Sequence, residues 1–222
     1  DMRGATVYTL SEAGRRAKVA SFPKHPSGIN FLPDGRVVVV SMQDRKLMQV
    51  AKDGTLSLYC DLSDMVSHDI NDCVCDASGN IYVGNFGYDL LAGEAPKTAD
   101  LIMVSMAGQR TVVASGLEFP NGAVITPDGG TLIIAETFGH KLTAFDRAAD
   151  GRLSNRRVWA SLGERTPGEH LVPARQLHHL HGVAVEIVVL AKLIDGGAHV
   201  RQRGLGLQGL EFLDGDRAVG RE

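Results

Sequence analysis

Apolar and polar residues alternate in short runs along this chain, and Gly- and Asp-rich turns separate the runs, a spacing that predicts strands and not helices. Three stretches can be laid over one another: Gly28 to Gly35 followed by Val37 to Val40, Asp72 to Gly79 followed by Ile81 to Val83, and Gly122 to Gly129 followed by Leu132 to Ala135. Each reads as strand, tight turn, strand. Pro33-Asp34-Gly35 and Pro127-Asp128-Gly129 carry the chemistry of a turn, since Pro pre-sets φ and Gly accepts positive φ. Third strands follow at Lys46 to Val50, Leu101 to Ser105 and Lys141 to Phe145. After a second turn at Lys52-Asp53-Gly54, Met106-Ala107-Gly108 and Ala149-Asp150-Gly151, short strands at Leu56 to Cys60, Thr111 to Ala114 and Arg157 to Ala160 complete four per unit.

The unit recurs 44 residues on from Gly28 to Asp72 and 50 from Asp72 to Gly122, the spacing of β-propeller blades. An inserted loop, Asp89 to Asp100, accounts for the longer second unit. Thr6 to Leu10 and Ala17 to Phe22 read as the last two strands of a preceding unit. A fourth copy starts on schedule at Thr166-Pro167-Gly168 and then fails. The predicted fold is therefore all-β: an incomplete propeller arc of about three and a half four-stranded blades over residues 1–167, followed by an atypical tail, 168–222. The abrupt change after Pro167 is what a frameshift or a gene-model error would make, with Val183 to Ile194 either a buried strand or a short helix and 195–222 poorly ordered. An open arc leaves apolar blade faces uncovered, so self-association through them is expected.

Composition narrows the partners. The 222 residues are 44% hydrophobic and 22% charged, with a net charge of −3 and basic residues spread singly, which points away from nucleic acid and anionic membranes. Asp1 to Leu10 has neither the basic leader nor the apolar stretch of a signal peptide, and the longest apolar run is too short to span a bilayer, so the expected compartment is cytoplasmic. Cys60, Cys73 and Cys75 read as reduced, packed thiols.

Taken singly, Asn71 and Asn121 are residues that bond local backbone well at turns and strand ends. Asp34, Asp76 and Asp128 are turn residues, Glu136 a solvated strand end, and Phe145 and Trp159 core between blades. His178, His179 and His181 raise a Zn²⁺ or Ni²⁺ site, with no framing strand or nearby carboxylate. No G-x-S-x-G segment offers a covalent nucleophile.

Asn71-Asp72 with Asp76, Gly79, Gly84 and Gly87, followed by Phe119-Pro120-Asn121-Gly122 with Pro127-Asp128-Gly129 and Glu136, resembles the SMP-30/gluconolactonase/luciferin-regenerating family of six-bladed propellers. The resemblance implies a metal-dependent lactone hydrolase acting on a small-molecule sugar lactone or similar compound. It implies a divalent metal, Ca²⁺, Zn²⁺, Mn²⁺ or Mg²⁺, at the channel mouth. Carried over by motif, Asn121 is the metal ligand, Asn71 a pocket residue contacting substrate or metal, and Asp89 a contact for a substrate hydroxyl; no catalytic residue is assigned. Asp69, two before Asn71, stands where some members carry a basic substrate contact. Two features of the family pattern are missing: the first-blade Glu, and the later Asp, where Pro167-Gly168-Glu169 stands. The expectation is a fragment with impaired or no activity. Two other readings remain open, a non-catalytic propeller serving as a binding platform and a related phosphotriesterase- or paraoxonase-like propeller hydrolase.

Overall fold

The structure, a computed structural model, describes residues 1–11 and 14–162, together with the backbone of two short strands at 199–202 and 210–213. The sequence readings that fall on 163–198, the histidine cluster and the apolar run among them, lie outside the described residues. The described residues contain strands and no helix, and no helix is long and apolar enough to cross a membrane.

β1 (Thr6–Leu10) and β2 (Arg16–Ser21) form a two-stranded antiparallel sheet. The first four-stranded blade is β3 (Pro26–Phe31), β4 (Val37–Ser41), β5 (Lys46–Val50) and β6 (Leu56–Asp61). The second is β7 (Ile70–Cys75), β8 (Ile81–Asn85), β9 (Ala99–Val104) and β10 (Arg110–Leu117). β11 (Pro120–Ile125), β12 (Thr131–Glu136), β13 (Lys141–Arg147) and β14 (Leu153–Ser161) make the third. Each is an antiparallel meander in sequence order, and the first strands β3, β7 and β11 pack beside one another, as the innermost strands of propeller blades do. β15 (His199–Gln202) and β16 (Leu210–Leu213) pair with each other.

The turns form as their residues dictate. Asp34, Asp53, Asp76, Asp128 and Asp150 each accept the backbone N–H two residues on, at 2.9 to 3.1 Å. Such Asx turns replace one backbone hydrogen bond and direct the reversal. The backbone N–H of Arg36, followed by its own carboxylate-to-guanidinium contacts, holds the Asp34 carboxyl below the ordinary range.

Because side chains alternate across a strand, the apolar second and third strands of each blade supply both neighbours. Val38, Val40, Leu47, Ile81, Val83, Ile102 and Val104 fill the space between the first and second blades. Tyr82, Leu101, Met103, Leu132, Ile134 and Phe145 fill that between the second and third, and Val39 and Val50 turn the other way onto Val7, Ala20 and Phe22 of the β1–β2 sheet. Polar ties lock the same interfaces. Asn30 donates to the Cys73 carbonyl at 2.8 Å and accepts from Cys75 N–H at 2.9 Å. Tyr82 Oη donates to the Gly151 carbonyl at 2.9 Å, and Arg147 meets the buried Asp76 carboxylate at 2.8 Å. Cys60, Cys73 and Cys75 are free thiols, and burial pushes the Cys75 thiol up to about 11. Ile29 and Phe31, paired with Val39 and Val37 and so on the same face of the first blade, are 47% and 72% exposed beside the two-stranded β1–β2 sheet.

Phe145 is core as expected, 3% exposed, but Trp159 is 42% exposed. The reason lies in the register: β13 pairs Leu142 with Ala160 and Thr143 with Val158, so Trp159 falls in a bulge of β14, the outermost strand of the third blade, where alternation no longer aims it at the core. Phe145→Ala is expected to lower stability by about 3 to 5 kcal/mol, whereas Trp159→Ala should cost under about 1 kcal/mol. Urea unfolding followed by circular dichroism checks both; equal losses would refute this placement of Trp159.

Candidate functional site

The three blades repeat a local distortion at one end of the innermost strand. The register slips between Pro26 and Ile29, between Ile70 and Cys73, and between Pro120 and Ala123. In each case the inner strand advances three residues while its partner advances two, which is a β-bulge. The residues carried by the bulge are Ser27-Gly28, Asn71-Asp72 and Asn121-Gly122. A bulge re-aims side chains out of the alternation, and here it does so at the positions singled out from the sequence.

The two asparagines meet. Asn71 Nδ2 donates to Asn121 Oδ1 at 3.2 Å, and Asn121 Nδ2 donates in turn to Thr137 Oγ1 at 3.4 Å. Ser27, at the equivalent place in the first blade, donates to Asp72 Oδ1 at 3.2 Å. Asn71 is 3% exposed, and its Oδ1 is buried without a hydrogen-bond partner. Leaving a buried acceptor unpaired costs about 1 to 3 kcal/mol, so Asn71 Oδ1 calls for a partner such as an ordered water, an ion or a ligand atom, or for a source of strain. Gly84 makes the approach possible: a Cβ there would stand 2.3 Å from the Pro120 carbonyl oxygen and 2.8 Å from Asn71 Oδ1. Ser27 and Thr137 were not singled out from the sequence. The repeat itself would have found Ser27, since it aligns with Asn71 and Asn121, whereas Thr137 is brought in only by the β12–β13 connection.

The neighbouring loops form two clefts that share Tyr88 of the β8–β9 connection, and neither asparagine lines either of them. One, of about 490 Å³, is lined by Tyr88, Pro96, Thr98, Phe119 and Phe138, with Lys97 and Glu118. Phe119 immediately precedes Pro120-Asn121 and has a left-handed backbone, φ 60°, a conformation that costs a bulky residue about 1 to 3 kcal/mol and persists where the surroundings enforce it. The other, of about 410 Å³, is lined in part by Gln43, His68, Asp69, Phe86, Tyr88 and Asp89. Asp89 lies in this second cleft and not against the asparagine pair; its Oδ1 accepts the Ala92 N–H of its own loop at 2.9 Å. His68 Nε2 lies 3.2 Å from Glu94, which also accepts the Asp89 N–H at 2.8 Å, so the insert is tied to the β6–β7 connection. Burial, with the Asp89 charge second, raises the Asp69 carboxyl above its ordinary value.

Glu136 is not the solvated strand end expected of it. It is 1% exposed, accepts the Glu118 N–H at 2.7 Å and the Thr143 hydroxyl, and faces Arg156 at 3.2 Å and Lys141 at 3.5 Å. A buried carboxylate needs this degree of compensation. Its work is to anchor the Glu118-Phe119 turn from beneath, a role that depends on β13 and β14 and could not be read from its place at the end of β12.

Residues 1–176 match the family described as SMP-30/Gluconolactonase/LRE-like region. Diisopropyl-fluorophosphatase of Loligo vulgaris is 27% identical over 156 residues, which is 65% of this chain and 48% of that protein. A Xanthomonas campestris gluconolactonase superimposes with a TM-score of 0.63 at 23% identity, covering 75% of this chain and 59% of that one. A calcium-binding regucalcin from Agrobacterium tumefaciens superimposes with a TM-score of 0.59 at 21% identity, covering 71% and 52% respectively. The chain thus spans roughly half to three-fifths of the length of these relatives, and the structural likenesses bear on fold.

The raised Asp69 carboxyl fixes the sign of a pH effect. A carboxyl whose folded value is raised favours folding in its protonated form, an advantage fully present below its ordinary value and lost as pH rises through the folded one. Asp69→Asn, neutral throughout, is therefore expected to be more stable than the parent near neutral pH, with the difference vanishing below about pH 4. Thermal unfolding across this range tests it, and equal stability near neutrality would refute the raised carboxyl.

Proposed function

Because the chain belongs to the SMP-30/gluconolactonase/LRE-like family, we propose that the Asn71–Asn121 pair is the lactone-positioning part of a hydrolase site of the gluconolactonase kind. The observation that carries this reading is the buried, unpartnered Asn71 Oδ1 beside Asn121, held on equivalent bulges of adjacent blades. Lactone hydrolysis needs a carbonyl held in place, water delivered to its carbon, and a proton returned to the ring oxygen as the C–O bond breaks. The amides suit the first of these tasks. Amide N–H groups can donate to the carbonyl oxygen, and the free Oδ1 can accept from water or from a hydroxyl of the ligand. Amides do not exchange protons in this pH range, so they orient and do not serve as acid or base. The nearest carboxylate along the chain is Asp72, which accepts from Ser27.

The family resemblance and the calcium-binding relative suggest a divalent ion. A hard cation accepts amide oxygens such as Asn71 Oδ1, but a tight site also needs carboxylates to compensate its charge. Among the described residues no group of three or more His, Cys, Asp or Glu could hold a metal ion. The described residues therefore do not fit the ion by themselves, and the roles above are assigned without it.

A second reading rests on the 27% identity to a protein named diisopropyl-fluorophosphatase: the same donors could hold a phosphoryl oxygen in place of a lactone carbonyl. A panel of lactones against phosphoesters separates the two.

This chain is expected to bind simple lactones weakly and to hydrolyse them no faster than buffer, with or without Ca²⁺, Mg²⁺, Mn²⁺ or Zn²⁺. Chelator-sensitive hydrolysis would overturn the expected inactivity. Asn71→Ala and Asn121→Ala are each expected to weaken lactone binding about tenfold, the worth of one to two hydrogen bonds, as measured by ligand-observed NMR. Unchanged binding in both variants would overturn the assignment of the pair.

A further inference from the structure

The cleft beside Asn121 carries a statement about which lactone this site takes, and it rests on the reading just given for the asparagine pair. Its position follows from the chain: Glu118 and Phe119 lead directly into Pro120-Asn121, and Phe138 follows Thr137, whose hydroxyl accepts from Asn121. The asparagines do not themselves line the cleft; Phe119, two residues before Asn121, and Phe138, next to Thr137, connect it to them.

The walls are carbon. Phe119 packs on Phe86 with ring centroids 4.4 Å apart and meets Phe138 edge-on at 4.8 Å, while Phe138 faces Tyr88 at 6.4 Å. These rings hold one another in place before any ligand arrives, so filling the cleft does not require the aromatic wall to be built. Pro96 and Thr98 also line the cleft. The charges at the rim are already engaged, Lys97 with Glu94 and Glu118 with Lys141 at 3.4 Å. A volume of about 490 Å³ lies within the range of small-molecule sites.

Such a wall treats ligands unequally. A polyhydroxylated lactone would bring hydroxyls against ring faces, where the loss of water is not repaid by hydrogen bonds. An alkyl or aryl substituent gains from the same surfaces. The neighbouring cleft adds a charge preference, because Asp69 and Asp89 stand across Tyr88 from this one and would repel a carboxylated or phosphorylated ligand. We propose that the site takes an uncharged lactone bearing an apolar substituent that lies in the Phe119–Phe138 cleft, with Tyr88, Phe119 and Phe138 as the specificity-determining residues.

Equilibrium binding of γ-valerolactone, γ-heptalactone and γ-nonalactone is compared with that of D-glucono-1,5-lactone, using ligand-observed NMR on the whole chain so that no turnover is needed. Affinity is expected to rise about threefold to fourfold per added methylene until the cleft is full, with the sugar lactone the weakest ligand. Thr98→Trp and Pro96→Trp alter exposed positions and should fill the cleft while leaving the core intact. Each is expected to abolish the dependence on chain length. Affinity independent of chain length, tighter binding of the sugar lactone, no binding of any lactone, or a chain-length dependence that survives both tryptophan variants would overturn the proposal. Asn121→Ala separates the two readings. If it leaves all the affinities untouched while the tryptophan variants remove the chain-length effect, the cleft assignment stands and the asparagine assignment falls.

Discussion

Each blade of this protein is a sheet apolar on both faces, and neither face can be left in water over its whole area. That requirement sets the rest of the architecture. Val38 and Val40 face one neighbour while Val39 faces the other, so a blade is stable only between two others, and the inner strands are drawn side by side as a consequence. The polar ties at Asn30, Tyr82 and Arg147 fix the angle and height at which the faces meet. Apolar burial supplies most of the driving force, and these bonds select one arrangement among the many that burial alone would allow.

The candidate site follows from the same constraint. Stacking brings the ends of β7 and β11 together, and the bulge that recurs at each inner strand frees two residues per blade from alternation. Asn71 and Asn121 can meet only because Gly84 lets the Pro120 carbonyl approach without a side chain between them. Beneath the site, the compensated carboxylate of Glu136 holds the Glu118-Phe119 turn in its strained form. A site assembled this way belongs to the interface between blades and not to either blade alone.

Membership of the family and the propeller likeness fix the architecture, while the function of a propeller resides in the loops and bulge residues at one end. At that end this chain combines three features of different chemistry: a buried amide pair with an unpaired acceptor, an aromatic cleft, and an acidic cleft around Asp69 and Asp89. The long connection between β8 and β9 contributes Tyr88 to both clefts, and its insert adds Pro96 to Thr98 to one and Asp89 to Ala92 to the other, so one connection shapes both.

The sequence by itself determined the strands and their order. Period-two alternation, Asp-Gly turns and a repeat of 44 and 50 residues are local signals, and local hydrogen bonding and turn sterics are enough to enforce them. It also marked Asn71 and Asn121, because the repeat aligns them. It missed wherever burial is decided by a partner far along the chain. Glu136 looks like an ordinary strand end until Thr143, Lys141 and Arg156 close over it. Trp159 looks like core until the β13–β14 register proves to bulge at it. Asp89, read as a contact for a substrate hydroxyl, takes its place in a cleft only through the fold of its own loop. Only the tertiary structure could decide these, since solvent exposure and the distance between blades depend on packing across the arc, for which alternation within a strand carries no information.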